Sequence, residues 1–109
     1  MPDTKQPNKS REGRCYELAF KYMQWHNKYT LIHASVFSYV FGCRMAHALV
    51  ELDDDIIYEP VADVYFNKQK LYARFKVREF KRYTMHEAIE LAIATGHYGP
   101  WDKQSCKMK

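Results

Sequence analysis

Apolar and polar positions alternate along this chain with periods that change several times. Cys15, Leu18, Ala19, Tyr22 and Met23 recur at helical spacing and predict an amphipathic helix, with Asn27 and Lys28 suited to its end. Residues 31–40, LIHASVFSYV, are rich in β-branched and aromatic side chains and predict a strand. Phe41-Gly42-Cys43-Arg44 reads as a turn, 45–52 as a second strand and 56–61 as a third, with Pro60 marking an edge, a bulge or the strand's end. Asp53-Asp54-Asp55 between them has hairpin-loop length. Residues 62–70 show no clear period. Ala73, Phe75 and Val77 alternate with Arg74, Lys76 and Arg78, which predicts a fourth strand over 71–79 with Tyr83 as its outer limit.

The last segment is punctuated on both sides. Thr84 and Glu87 have capping-box spacing, Met85, Ala88, Ile89, Ala92 and Ile93 form an apolar stripe, and Gly96 supplies the stop. Trp101 is expected to fold back onto the core. A helix, consecutive strands and a helix predict an α+β domain over 13–101 with an antiparallel sheet. A polar arm precedes it at 1–12, and a frayed tail follows at 102–109.

Composition narrows this picture. With 109 residues, 47% hydrophobic and 16% aromatic, the chain suits one packed domain. No apolar run approaches the roughly 18 residues of a membrane span. The N-terminal residues carry no apolar signal core, so the expectation is a cytoplasmic protein with no membrane partner. Three irregularly spaced cysteines, Cys15, Cys43 and Cys106, read as free thiols. The five histidines lack ligand spacing, and neither a metal nor an organic cofactor is implied.

The net charge of +4 is concentrated in residues 68–82, which hold seven basic residues and one acid. Such a segment either discourages edge-to-edge pairing of a strand or meets nucleic acid or another acidic partner.

The candidate chemistry begins at GRCYELA, residues 13–19, where a cysteine stands at the expected cap of the first helix. A thiol caps poorly, but a helix N-terminus favours an anion. A cysteine nucleophile needs a base, and the base needs a group that orients it. His47, flanked by apolar residues in the second strand, is the candidate base. With a three-residue loop, Leu52 faces Ile56, Leu49 faces Glu59 and His47 faces Val61. His47 and Glu59 are then diagonal neighbours on one face, about 7 Å apart along the backbone. Asp63 is the reserve for Glu59, and His33 is the rival base. A cysteine on an apolar stripe and a histidine in a strand are also what an ordinary core contains.

The order Gly13-Arg14-Cys15, His47-Ala48-Leu49-Val50-Glu51 and Tyr58-Glu59-Pro60 resembles the transglutaminase-like proteins of the papain-like cysteine hydrolase superfamily. In these a helix opens with Gly-x-Cys, a strand carries His-Ala-Trp-Val-Glu and the next carries Asp-Pro. The resemblance covers residues 13–61 and departs from the pattern at Leu49, for Trp, and at Glu59, for Asp. It implies a papain-like minimal core in which Cys15 is the nucleophile, His47 the base and Glu59 its orienting group. It also implies an amide- or thioester-containing substrate, a peptide or a small molecule. An oxyanion would be held by the backbone N–H at or after Cys15 and by a side chain of the arm, such as Asn8 or Gln6. The alternatives are a binding protein of the same fold that uses residues 68–82, and a small accessory subunit that associates through its tyrosines.

Overall fold

The computed structural model describes residues 14–53 and 55–101, so the expected arm at 1–12 and tail at 102–109 lie outside the described residues. Among those residues the chain forms three helices and five strands. In order they are α1 (Cys15–Trp25), β1 (Thr30–Ser38), β2 (Cys43–Glu51), β3 (Ile56–Glu59), β4 (Val64–Asn67), α2 (Lys68–Phe75), β5 (Arg78–Tyr83) and α3 (Met85–Thr95). The strands make one antiparallel sheet in the order β4-β3-β2-β1-β5. This is the expected α+β class.

Alternation along the strands divides the core in two. Leu31, Ala48, Val50, Tyr58 and Tyr83 point to one face, where Ala19, Phe20 and Met23 of α1 and Met85 and Ala88 of α3 cover them. Ile32, Ala34, Leu49 and Ile57 point to the other, where Leu71 of α2 covers them. The sheet is therefore clad on both sides, and its central strands β1 and β2 carry most of the buried residues.

α3 forms as its sequence dictates. The Thr84 hydroxyl accepts from the Glu87 N–H, the Glu87 carboxylate accepts from the Thr84 N–H, and Gly96 ends the helix at φ 81°. Trp101 does fold back, stacking on His33 at 5.2 Å and meeting Tyr83 edge-on.

The expected strand over 71–79 is a correction. Residues 68–75 are helical, because the Asn67 side chain caps the Lys70 N–H at 3.0 Å and Leu71 buries one side of the turn. Lys76 closes the helix in the left-handed region at φ 50°. The strand that follows, β5, pairs with β1 from Leu31–Tyr83 to Ser35–Arg78, with a bulge at Phe80 where the register shifts.

Candidate active site

Cys15 is the first residue of α1, and the cap is Arg14, not the cysteine. Arg14 offers no side-chain acceptor to the first turn, unlike Asn67 and Thr84 at the other helices. The Cys15 N–H therefore sits where a helix has no internal acceptor for it. Arg14 instead grips Glu17 with two hydrogen bonds of 3.0 and 3.1 Å, and Lys21 adds a third at 2.9 Å. The bonds from Arg14 and then Lys21 hold the Glu17 carboxyl down at about 2.

His47 stands on β2 opposite Ala34 of β1. β3 meets β2 at Val50–Tyr58 and Glu51–Ile57, and the Leu52 N–H donates to the Ile56 carbonyl at 2.7 Å. This is the register that a three-residue loop requires, and Asp55 takes the left-handed conformation at φ 65° that closes such a loop. Carried on, it sets Leu49 opposite Glu59. Because β3 ends at Glu59, the first half of β2 is an uncovered edge on this side, and the His47 ring lies there.

The ring is anchored by Glu59. Its Nε2 lies 2.5 Å from Oε2 of Glu59, with the His47 and Glu59 side chains 20% and 14% exposed. The Cys15 side chain also acts on the imidazole and favours its charged form. Burial pulls the His47 pKa down, but the hydrogen bonds and charges of Cys15 and Glu59 outweigh it and push it up to about 10. Cys15 itself is 8% exposed.

Glu59 is fixed by its own turn. The Ala62 N–H donates to Oε1 at 2.7 Å, which leaves Oε2 for the imidazole. Burial works against the Glu59 charge. The bond and charge of His47, then the Ala62 and Val61 amides, prevail and hold the carboxyl below the usual carboxylate range. Asp63 closes the turn at φ 60°, its N–H bonded to the Glu59 carbonyl at 2.8 Å and its carboxylate accepting from the Tyr58 hydroxyl. That turn was not legible beforehand beyond the Pro60 that stops the strand.

The alternatives separate on geometry. Asp63 is engaged by Tyr58. His33 lies on the next strand, fully buried against the rings of Tyr16, Tyr83 and Trp101. Cys43 is an exposed free thiol at the start of β2. Cys106, Asn8 and Gln6 lie outside the described residues. Within the basic segment, Lys68 and Arg82 are paired with Glu51, and Arg82 also with Glu79. Among the described residues no group of three or more His, Cys, Asp or Glu could hold a metal ion, and no helix is long and apolar enough to cross a membrane.

An imidazole that a carboxylate orients and a thiol neighbours can exchange a proton with that thiol and keep its orientation while it does so. No family model matches this chain, and no curated protein or solved structure matches it either.

Proposed function

We propose that the protein is a thiol hydrolase or acyltransferase acting on amide or thioester bonds, with Cys15 as nucleophile, His47 as base and then acid, and Glu59 as the group that orients His47. The observation that carries the reading is the His47 imidazole, 2.5 Å from the Glu59 carboxylate and held in its charged form by both Glu59 and Cys15. The order of helix, cysteine, strand histidine and carboxylate at the end of the next strand is the order expected of a papain-like, transglutaminase-like core. Leu49, where those relatives carry Trp, is buried among Ile32, Ile57 and Leu71.

In this reading the Cys15 proton resides on His47, and the sulfur attacks the acyl carbon. A C–S bond forms while the carbonyl electron pair moves to oxygen, near the Cys15 N–H. Collapse of the adduct breaks the bond to the amine or thiol, which leaves with the proton from His47. Water or an amine then gives its proton to His47 and attacks the thioester, and the C–S bond breaks to restore the sulfur. A reducing, cytoplasmic setting suits this chemistry, since it keeps the nucleophile as a thiol.

Alkylation by a small haloacetamide, with the labelled peptide located by mass spectrometry from about pH 5 to 9, tests the assignment. Cys15 should label ahead of the exposed Cys43 below about pH 7, and His47→Ala should remove that lead. If Cys43 labels first throughout and Cys15 only after unfolding, the thiol is core and the reading fails.

A further inference from the structure

The hairpin joining β1 to β2 ends in an apolar surface bordered by cations. Tyr39, Val40 and Phe41 follow one another at its tip and are 59%, 86% and 70% exposed, and Met45 on the same hairpin is 42% exposed. Three consecutive exposed apolar side chains are unfavourable on a surface that nothing covers. The tip is also held firmly. The Gly42 and Phe41 amides donate to the Ser38 carbonyl and hydroxyl at 2.7 and 3.1 Å. The Tyr39 hydroxyl donates to the Arg74 carbonyl at 2.8 Å, and the Arg44 guanidinium to the Lys76 carbonyl at 2.5 Å. These last two bonds tie the tip to the end of α2.

That splint sets a collar of cations around the apolar tip. Arg44 lies beside Ser35 at 2.8 Å, Arg78 pairs with Ser35 across the β1–β5 ladder, and the Lys76 ammonium stands 5.4 Å from the Phe37 ring. Among the described residues, none of Arg44, Arg74, Lys76 and Arg78 takes part in an ion pair. Burial and the neighbouring Arg78 charge both lower the Arg44 pKa, as expected where two cations share a site without an acid.

We propose that this tip inserts into the headgroup region of an anionic lipid leaflet, with Val40 and the flanking rings entering the apolar boundary and the four cations meeting lipid phosphates and carboxylates. The shape favours a lipid surface over a nucleic acid. The apex residue is Val40, which has no ring to stack on a base and no side-chain group to bond one. Tyr39 and Phe41 beside it are aromatic residues of the kind that settle at a bilayer interface. Contact of this type needs a few apolar side chains and a basic rim, and no spanning run. It is independent of the thiol site, because none of its residues belongs to the Cys15–His47–Glu59 constellation.

The test is co-sedimentation of the full chain with vesicles of phosphatidylcholine, alone or with about one-third phosphatidylserine, at about 0.15 M salt. Binding to the anionic vesicles should exceed binding to the neutral ones by roughly tenfold or more, and should weaken as salt rises. Replacing both Val40→Ser and Phe41→Ser removes apolar surface without changing charge and should cost about tenfold. Lys76→Glu with Arg78→Glu should cost at least as much, at about fivefold for each cation lost. The proposal is overturned if the native chain does not prefer anionic vesicles, or if the uncharged tip variant binds as well as the native chain. It is also overturned if a single-stranded oligonucleotide displaces the protein from the vesicles at the same salt.

Discussion

His47 and His33 stand on neighbouring strands, opposite Ala34 and Ala48 respectively, and their surroundings could hardly differ more. His47 is bonded to the Glu59 carboxylate, is raised in pKa by Cys15 as well, and keeps a fifth of its side chain exposed. His33 is fully buried in a box of Tyr16, Tyr83 and Trp101 rings, with a Cβ built on Gly99 falling only 2.9 Å from its ring. Burial alone therefore does not tell the two rings apart; their neighbours do. The deeper one is walled by aromatic surface and packs; the shallower one meets groups that can give and take a proton.

The largest effect that would sharpen this contrast is on the nucleophile. Cys15→Ala should lower thiol-dependent acyl transfer by about 10⁴-fold, because the covalent route is lost while the fold is kept. Release of nitrophenolate from a nitrophenyl ester, read beside circular dichroism, would check both halves; undiminished turnover in this variant removes the enzyme reading. Next is a paired comparison of the two histidines. His47→Ala should slow Cys15 alkylation near pH 6 by about a hundredfold, the scale of a positioned acid–base group. His33→Leu should leave that rate unchanged and instead lower stability by about 1–3 kcal/mol in urea denaturation. Equal effects on alkylation would erase the distinction.

Glu59→Gln should reduce turnover by about tenfold to a hundredfold, less than loss of the nucleophile, since the amide can still orient the ring but cannot balance its charge. The same pair sets a pH dependence with a definite sign. His47 is raised to about 10 in the fold, so its contribution to stability is complete below its ordinary value near 6.5 and is lost as pH rises towards 10. Glu59 is lowered, so its contribution is present above the ordinary carboxylate range and lost as pH falls through its folded value. Thermal midpoints of the native chain should therefore decline at both extremes, and more steeply than those of a protein carrying both His47→Ala and Glu59→Gln. The smallest effect concerns the other box. Gly99→Ala, at φ 116° and pressed on His33, should cost about 2 kcal/mol and leave alkylation untouched, which denaturation and labelling of one sample would establish.

Much of the contrast was legible along the chain, and the part that was not has physical causes. The α1 stripe, the α3 capping box and the β2–β3 register could be counted from spacing, because periodicity, cap chemistry and loop length each constrain the backbone locally. The pairing of Val50 with Tyr58 follows from the loop count that brings Glu59 beside His47. Residues 71–79 carry a strand-like alternation because Ala73 and Phe75 of α2 fall in step with Val77 beyond it by accident, while the helix itself signals only through a single cap, Asn67. β4 shows no alternation because its apolar residues Val64, Tyr65 and Phe66 are consecutive and all exposed, so no period separates one face from the other. Arg14 as the cap of α1 could not be anticipated, since an arginine has no acceptor to offer there. Nor could the turn at Asp63, which combines a left-handed backbone with a carboxylate that accepts from the Tyr58 hydroxyl.

The order of strands in the sheet also bears on how the chain reaches this state. β1 to β4 lie side by side in the order in which they occur, so each joins the next through a short connection. β5 instead returns to the far side of β1, where Leu31 meets Tyr83 after about fifty residues of intervening chain. Closing that loop costs more entropy than closing a hairpin, and it is repaid only once β1 offers a formed edge. α1, β2 and β3, which supply Cys15, His47 and Glu59, can thus assemble around β1 before the second half of the chain docks. Native-state hydrogen exchange would then show the β5 amides opening at lower free energy than those of β2, as a separate cooperative unit. The site would sit in the part of the molecule that forms first and lets go last.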